Sequence, residues 1–495
     1  SERTVHYLII TLTFYFQIIV RLFDVSKPRH VLNKHDIRAS GKQADCFRFS
    51  DCQYDPASGE AMLTYDIDGR KLCEKIVFPW APWPVDASRQ AAFLRALELL
   101  HLIAGVSYYK ACLASRVNTG ESKIGALMGG FLNELYLKGL GEFAYVNRLD
   151  LSGLINFECT ADESPMIETL TREASAEQLT CAYPVDLPDR ALVAMGGGKD
   201  SLVCLHMLEA AGVEVQPACV GGSVLIGETV KAAGLPLIRI QRELSPGLAK
   251  MNSAGAWNGH VPVTAINSAI LLCAGFLYGY RYIVFANESS ANEATLKDGQ
   301  GREVNHQFSK SFAFEQHFDS VVRQYVSPDI RYFSLLRPFG EIAISRRFSK
   351  MTRFHEVFSS CNRNFHQDGS HITGRWCLDC PKCRFTALAL APFLDPSRLL
   401  AIQGADLLNQ ENQLDGFKAL CGLAEHKPFE CVGSIAECRA AMKFLAGDPR
   451  WRDKYVVGVL AGFDDIQQAG ELDLNPDFKT QHCIPSEILA RLNAF

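Results

Sequence analysis

The chain has 495 residues, of which 48% are hydrophobic, and a formal net charge of -5 at pH 7. At this length one hydrophobic core no longer grows with the chain, so about two to four domains are expected. The acidic balance excludes the broad basic surface that binds duplex nucleic acid by displacing counterions, and we expect no nucleic-acid partner.

The cysteine content indicates the compartment. Seventeen cysteines, an odd number, are spread over the whole chain. Small secreted domains instead carry dense, even-numbered disulfide frameworks. The sequence therefore predicts reduced thiols and a cytoplasmic location.

The first 44 residues contain an apolar stretch. Tyr7–Val20 is almost entirely apolar and is followed by Arg21. It is shorter than the roughly 20 residues that span a bilayer, and it lacks the basic start and the cleavage site of a signal peptide. A membrane or export role is therefore disfavoured. A buried strand or helix and a start codon placed too far upstream are the alternatives.

Residues 45–187 predict a mixed α+β domain. From Cys46 to Pro79 apolar and polar residues alternate around a turn at residues 55–59, which is typical of a small antiparallel meander. Between Ala87 and Leu140 the apolar spacing becomes helical. One apolar helical face comprises Phe93, Leu97, Leu100 and Ala104.

Residues 188–395 predict a second architecture, in which short apolar runs alternate with helical stretches. The runs are Ala191–Met195, Val213–Val220, Leu235–Ile240 and Tyr282–Ala286, and the helical stretches are Ser201–Ala211, Gly227–Ala233 and Ala265–Tyr280. This alternation indicates an α/β fold with a parallel sheet, which binds ligands beyond the carboxyl ends of its strands. Residues 396–495 predict a helical region, with helices at Glu411–Leu423 and Ser434–Leu445.

A glycine-rich loop follows the first apolar run. It comprises Gly196, Gly197, Gly198, Lys199, Asp200 and Ser201. Consecutive glycines leave backbone N–H groups unobstructed, and a helix that begins at Asp200 or Ser201 adds the positive end of its dipole. With the charge of Lys199, the loop predicts an anion site, although it matches neither GxxxxGK[ST] nor GxGxxG. A glycine-rich turn without a ligand is the alternative.

The loop resembles the SGGxDS loop of ATP pyrophosphatases of the adenine nucleotide alpha-hydrolase type, with Gly196 in place of the leading serine. Those enzymes cleave ATP to AMP and pyrophosphate and transfer AMP to a carboxylate or carbonyl oxygen. The resemblance implies a HUP-like catalytic domain in residues 188–395, in which the loop from Gly196 to Ser201 holds ATP. Glycine at position 196 removes one phosphate hydrogen bond that a serine supplies.

Four cysteines later in this domain have the spacing of metal ligands. Cys361, Cys377, Cys380 and Cys383 form the pattern C-x15-C-x2-C-x2-C. Four thiolates complete a tetrahedral site, so the pattern predicts a structural Zn²⁺ that ties the loop around Arg375 and Trp376 to the next helix. A redox CxxC pair, an iron–sulfur cluster and an unliganded set are the alternatives. The pattern also resembles the zinc site of 7-cyano-7-deazaguanine synthase, a pyrophosphatase of the same type.

Polar side chains follow the run Tyr282–Ala286 and are typical of plain loops when taken singly. Together, the blocks FANESSANEATL, EVNHQFSKSFAFE, YFSLLRPFGEIAI, CNRNFH and RWCLDCPKCRF resemble the UDP-N-acetyl-alpha-D-muramoyl-L-alanyl-L-glutamate epimerase family. The resemblance also covers FRFSDCQYDPASGEAMLTYDID, VSYYKA and HKPFECVG, and it extends from Cys46 to Ala441.

This resemblance implies inversion of the terminal L-glutamate of UDP-MurNAc-L-Ala-L-Glu in peptidoglycan precursor synthesis, with consumption of ATP in the presence of Mg²⁺. A carboxylate acidifies its α-proton poorly, whereas an acyl-adenylate makes that proton more acidic. Our hypothesis is that the loop activates the α-carboxylate as its AMP ester, that the α-proton exchanges and that water releases AMP. Closure to an oxazolone is an alternative route.

Candidate residues for these roles lie in the polar blocks. The acid–base candidates are His306, Lys310 and Glu315. We expect Asn287 at the nucleotide, Glu293 at Mg²⁺ and Arg337 at a carboxylate or phosphate.

Three other functions stay open from the sequence. Adenylation followed by attack of an amine describes an amide-forming or nitrile-forming ligase. A tRNA sulfurtransferase combines the same kind of loop with CxxC pairs, although the acidic balance disfavours it. A nonenzymatic nucleotide sensor is the third. The sequence leaves the oligomeric state open.

Overall fold

The computed structural model describes residues 31–120, 122, 124–159, 182–293, 296–297, 301–364, 372, 374–424, 427–428 and 430–492. The strands are β1 Cys46–Asp55, β2 Glu60–Ile67, β3 Arg70–Val77, β4 Arg116–Asn118, β5 Arg190–Ala194, β6 Glu214–Val220, β7 Ile238–Glu243, β8 Tyr282–Phe285, β9 Leu296–Lys297, β10 Glu303–Val304 and β11 Arg331–Ser334. Nine of them form one sheet in the order β11-β8-β5-β6-β7-β3-β2-β1-β4, and β9 pairs with β10.

Helices cover both faces of this sheet. The α-helices of the described residues are Lys34–Ala39, Ala87–Ala104, Val106–Cys112, Ala126–Gly139, Gly141–Asn147, Lys199–Ala210, Val224–Ala233, Pro246–Ser253, Val263–Tyr278, Phe312–Val321, Glu341–Ser349, Pro381–Leu390, Pro396–Gln403, Leu414–Leu420, Ile435–Gly447, Tyr455–Leu460, Asp464–Gln467 and Ser486–Leu492. Local sequence sets several of their ends. Ser434 and Glu437 form a capping box, and Gly234 ends its helix in the left-handed conformation.

The N-terminal meander and the parallel strands share one sheet. β1, β2 and β3 are antiparallel neighbours, and the turn between β1 and β2 lies where the sequence predicts it. β3 also pairs with β7, where Arg242 donates to the buried carboxylate of Glu74 at 2.7 and 3.1 Å. This buried ion pair links β3, from the predicted N-terminal domain, to β7, from the predicted catalytic domain.

The parallel part of the sheet has a topological switch point. β5 lies between β6, the next strand in the sequence, and β8, the third strand after β5. The buried hydrophobic residues form two cores, one on each face of this part of the sheet. The helix Lys199–Ala210, which follows β5, packs in one core, and the helix Val263–Tyr278, which precedes β8, packs in the other. The two connections therefore lie on opposite faces of the sheet. Open α/β sheets bind ligands in the crevice beyond the strand ends at such a point. The predicted α/β class is confirmed.

Strand side chains alternate between the two cores. On β5 and β8, Leu192 and Ile283 belong to one core, whereas Val193 and Val284 belong to the other. Because successive strand residues point to opposite faces, both faces of these strands are buried. The short apolar runs of the sequence are a consequence of this double burial.

One helical stretch of the described residues, Ala87–Cys112, has the length and composition of a membrane span, but 78% of its most apolar window is buried inside the protein. Phe93, Leu97, Leu100 and Ala104 are all buried, as the helical face predicted. The stretch is therefore a core helix of the fold. The apolar segment Tyr7–Val20 lies outside the described residues.

Candidate active site

The glycine loop lies at the carboxyl end of β5, at the switch point. Gly197 has a φ of +78°, a conformation that favours glycine. The helix begins at Lys199 after an extended Gly198, so the start predicted at Asp200 or Ser201 is one to two residues late. Ser201 instead closes the loop, because its Oγ accepts from the N–H of Gly196 at 3.4 Å and donates to the carbonyl of Gly198 at 3.2 Å.

A cavity of about 90 Å³ lies against this loop, and we call it the loop cavity. Its lining residues are Lys199, Asp200, Ala286, Asn287, Glu288, Gln307, Lys310, Glu341, Ser360, Lys382, Phe385, Thr386 and Cys431. About 10–15 Å³ of such space holds one water molecule, so this cavity has room for a group of several heavy atoms such as a phosphate. The sequence candidates Lys199, Asp200 and Asn287 therefore share one cavity.

Opposite charges are concentrated around the loop cavity. The buried Lys199 forms ion pairs with Asp200, 2.5 Å away, and with Glu341. Burial raises the pKa of Glu341 well above its ordinary value, and Lys199 offsets this only in part. Burial also raises the pKa of Glu288, against the opposing effect of Arg337. The carboxyl groups of Asp200, Glu288 and Glu341 therefore share this cavity with three lysines, Lys199, Lys310 and Lys382.

Asn287 connects the ends of two strands beside the loop. It lies two residues after the end of β8, and its Nδ2 donates to the Oγ of Ser334 on β11 at 2.9 Å. Glu288 accepts from the N–H of Ala291 at 3.1 Å, which holds its carboxylate at the cavity wall. These contacts fix both polar side chains at the carboxyl edge of the sheet.

A second cavity of about 450 Å³, which we call the chamber, adjoins the loop cavity. Its lining residues are His260, Val263, Thr264, His306, Gln307, Ser309, Lys310, Asn362 and Cys431. Gln307, Lys310 and Cys431 line both cavities, so they mark the junction. The site therefore joins a phosphate-sized space to a larger substrate-sized one.

The junction carries a lysine–thiol pair. Lys310 Nζ donates to Cys431 Sγ at 2.8 Å. Burial raises the pKa of the Cys431 thiol, but Lys310 and Lys382 lower it by more, so the net shift is downward. Burial lowers the pKa of Lys310, whereas Cys431 and Glu288 raise it by more. Both shifts favour an ammonium–thiolate pair.

The histidines of the chamber are neutral near pH 7. Burial, followed by the charge of Lys310, lowers the pKa of His306 to about 4. Burial likewise lowers the pKa of His260 to about 4, and its Nδ1 lies 3.4 Å from the carboxylate of Glu142. Of the three predicted acid–base residues, His306 and Lys310 line the chamber.

The other predicted residues lie elsewhere. Glu315 and Arg337 form an ion pair with 1% and 0% side-chain exposure and line neither cavity. Glu293 is exposed, with its carboxylate 3.9 Å from Lys427, and it too is absent from both linings. The guanidinium of Arg337 donates to the carboxylate of Glu315 and to backbone carbonyls. Arg337 therefore stabilises the backbone next to the site and does not face either cavity.

The four predicted metal ligands converge. The sulfur atoms of Cys361, Cys377, Cys380 and Cys383 all lie within 4.8 Å of one another. A tetrahedral zinc site with Zn–S bonds of about 2.3 Å separates its sulfurs by about 3.8 Å. The sulfur of Cys383 lies 3.8 Å from that of Cys377 and 3.5 Å from that of Cys380, which fits this geometry. The cluster can hold a metal ion such as zinc.

The cysteine cluster adjoins the wall of the loop cavity. Cys383 lies in the first turn of the helix Pro381–Leu390, and Lys382, Phe385 and Thr386 of that helix line the loop cavity. A metal at the cluster would thus fix the position of the wall. The structural role that the sequence predicts for a metal at these cysteines stays a prediction.

Sequence reasoning missed four site residues. They are His260, Glu341, Lys382 and Cys431. Cys431 lies in the block HKPFECVG that carries the family resemblance, so a signal was present. Glu341 and Lys382 likewise lie in the blocks YFSLLRPFGEIAI and RWCLDCPKCRF, whereas His260 lies outside every block that carries the resemblance.

Sequence profiles of known families match most of the chain. The profile of the MurL N-terminal domain matches residues 38–335, which include the glycine loop and Lys310. The profile of the MurL C-terminal domain matches residues 357–472, which include the cysteine cluster and Cys431. Both halves of the candidate site therefore fall within the matched segments.

Curated relatives agree with this match. A protein of Xanthomonas oryzae pv. oryzae named UDP-N-acetyl-alpha-D-muramoyl-L-alanyl-L-glutamate epimerase is 43% identical over 458 residues, which cover 91% of this chain and 98% of the relative. Proteins with the same name from Micromonospora sp. and Salinispora tropica are 38% and 37% identical, cover 85% of this chain in each case, and are themselves covered to 91% and 89%. The chain belongs to the MurL family of UDP-N-acetyl-alpha-D-muramoyl-L-alanyl-L-glutamate epimerases.

Proposed function

We propose that the protein inverts the terminal L-glutamate of UDP-MurNAc-L-Ala-L-Glu in an ATP-dependent reaction of peptidoglycan precursor synthesis. The observation that carries this proposal is the junction at Gln307, Lys310 and Cys431, where the phosphate-sized loop cavity meets the chamber. The names of the relatives supply the substrate and the stereochemical outcome. Adenylation of the α-carboxylate and proton transfer at the adjoining α-carbon then take place on one substrate.

In this proposal residues 188–395 are a HUP-like ATP pyrophosphatase domain. The loop N–H groups, the helix N-terminus at Lys199 and the Lys199 ammonium hold the phosphates of ATP. The substrate α-carboxylate attacks the α-phosphorus, an acyl-adenylate forms, and pyrophosphate leaves. Because the loop cavity has a volume of about 90 Å³, the adenosine lies outside it.

The carboxylates of the loop cavity fit Mg²⁺. Mg²⁺ binds through one or two carboxylates together with substrate phosphates. Asp200, Glu288 and Glu341 line the cavity, and we propose that one or two of them bind this ion in place of the exposed Glu293. When bound, the ion neutralises phosphate charge.

Adenylation prepares the α-carbon for proton exchange. The free carboxylate repels the negative charge that develops when the α-proton leaves, whereas the acyl-adenylate accepts that charge on its carbonyl oxygen. The Lys310 ammonium at the junction stabilises the resulting enolate. Water then releases AMP from the inverted residue. Closure to an oxazolone by the neighbouring amide is the alternative route to the same acidity.

The test is to incubate the protein with ATP, Mg²⁺ and UDP-MurNAc-L-Ala-L-Glu in deuterated water. We expect D-glutamate with one α-deuterium after hydrolysis of the product, together with AMP and pyrophosphate, and no inversion when ATP is left out. The matched variants Lys199→Met in the loop and Lys231→Met on an exposed helix face separate specific from general effects. Only the first is expected to stop AMP formation.

Two results would contradict the proposal. Inversion that continues without ATP would remove the adenylation step. AMP release that requires an added amine and leaves L-glutamate without deuterium would identify an amide-forming or nitrile-forming ligase. The cytoplasmic location and the division at residues 44, 187 and 395 stay predictions.

A further inference from the structure

We propose that Cys431 is the base that removes the α-proton of the activated glutamate residue. This inference rests on the proposed function, because it names the proton carrier of that reaction. Cys431 lines both the loop cavity and the chamber, and the chain brings it there from the C-terminal half.

The reaction itself restricts where the base lies. The α-carbon is bonded to the carboxyl group that receives AMP, so the base must lie where the loop cavity ends and the chamber begins. Within the described part of the chain, Gln307, Lys310 and Cys431 line both spaces. A glutamine amide does not act as a base at neutral pH. Lys310 and Cys431 are therefore the groups at the junction that can carry the proton.

The contact between these two side chains decides which one is the base. Lys310 Nζ donates to Cys431 Sγ at 2.8 Å, and Lys310 also lies near the carboxylates of Glu288 and Asp200. A lysine among negative groups keeps its proton and has no lone pair to accept another. A thiol beside a lysine loses its proton and becomes a nucleophile and base. The geometry thus makes Cys431 the acceptor and Lys310 the cation.

The proton transfer balances with these groups. The Cα–H bond breaks, an S–H bond forms at Cys431, and the electron pair of the Cα–H bond moves into the activated carbonyl as an enolate. A proton then returns to the α-carbon from a second acid at the chamber. Cys431 afterwards loses its proton to solvent and the acid regains one, so both groups return to their starting states. The pair Glu142–His260 holds such a proton, because its atoms lie 3.4 Å apart and burial favours the neutral form of each side chain.

The test compares Cys431→Ser and Cys431→Ala with the control Cys73→Ser, which changes an exposed thiol on β3. Each variant is incubated with ATP, Mg²⁺ and UDP-MurNAc-L-Ala-L-Glu in deuterated water, and AMP, α-deuterium and D-glutamate are measured separately. Both Cys431 variants are expected to keep forming AMP while inversion and deuterium uptake fall by at least about 100-fold. The Cys73 variant should match the wild type in all three.

The outcomes separate this inference from the proposed function. Wild-type inversion without AMP would contradict adenylation but would leave the comparison of Cys431 variants intact. Inversion at the wild-type rate in Cys431→Ser would overturn the assignment. Loss of AMP and inversion together, in variants with the wild-type melting temperature, would also overturn it and assign Cys431 to the nucleotide.

A second measurement does not depend on the folding of a variant. Wild-type protein is treated with iodoacetamide, and the alkylated residues are mapped by mass spectrometry. Alkylation of Cys431 is expected to abolish deuterium uptake and to be slowed by bound UDP-MurNAc-L-Ala-L-Glu. Full inversion by protein that is alkylated at Cys431 would overturn the proposal.

Discussion

The guanidinium of Arg337 and the carboxylate of Glu315 form a fully buried ion pair, with Nη2 and Oε2 2.9 Å apart. The same guanidinium donates to the backbone carbonyls of Glu288 at 2.8 Å and of Lys310 at 2.6 Å. Glu288 lines the loop cavity and Lys310 lines the junction. One side chain therefore holds the backbone at two parts of the site.

Replacing Arg337 should destabilise the fold strongly. In Arg337→Met the carboxylate of Glu315 stays buried without its cation, and breaking a buried pair in this way costs about 3–5 kcal/mol of the free energy of unfolding. Urea unfolding followed by circular dichroism measures the loss. The matched control Arg346→Met changes an exposed arginine and should alter stability by no more than about 0.5 kcal/mol. Equal stability of the two variants would refute the supporting role.

Gly197→Ala and Gly212→Ala form a matched pair. Both glycines have left-handed backbone, with φ of +78° and +68°, and alanine there costs about 1–2 kcal/mol. We expect similar losses of stability in urea unfolding. Only Gly197→Ala should also lower pyrophosphate release, by more than about 10-fold, because Gly197 sets the direction of the loop N–H groups. Similar pyrophosphate release by both variants would argue against the loop as the phosphate site.

The cysteine cluster should bind about one metal ion per chain. Elemental analysis of the purified protein is expected to find zinc, and Cys383→Ser should lose most of it and melt at a lower temperature. Cys73→Ser, an exposed thiol outside the cluster, should keep its zinc. Iron with acid-labile sulfide in the wild type would instead favour the iron–sulfur alternative.

Acid should destabilise the protein through His101. Burial lowers the pKa of this side chain to about 4, against an ordinary value of 6.5. Between these two values the unfolded chain binds a proton that the folded chain excludes, so the free energy of unfolding decreases as pH falls. The decrease from this group is at most about 1.4 kcal/mol per pH unit. Urea unfolding between pH 7 and pH 5 measures the slope, and His101→Gln should flatten it. An unchanged slope in the variant would contradict the assignment.

Features coded by neighbouring residues could be predicted from the sequence. The glycine loop from Gly196 to Ser201 and the spacing from Cys377 to Cys383 each lie within a few residues, so local backbone geometry is enough to indicate an anion site and a metal site. The α/β class followed from the alternation of apolar runs with helical stretches. Even the error of one to two residues at the start of the loop helix is local, since Gly198 rather than a polar side chain precedes its first turn.

The tertiary structure alone decided which distant residues meet. Glu341 pairs with Lys199 across 142 positions, and Cys431 accepts a hydrogen bond from Lys310 across 121 positions. Arg337 and Glu315, which the sequence presents as polar site candidates, are instead paired with each other in the interior. No periodicity or spacing in the sequence indicates such pairs. Which side chains are buried, and which charged groups lie next to them, depends on how the sheet and its covering helices pack. The sequence determined the kind of chemistry, and the packing determined which side chains carry it.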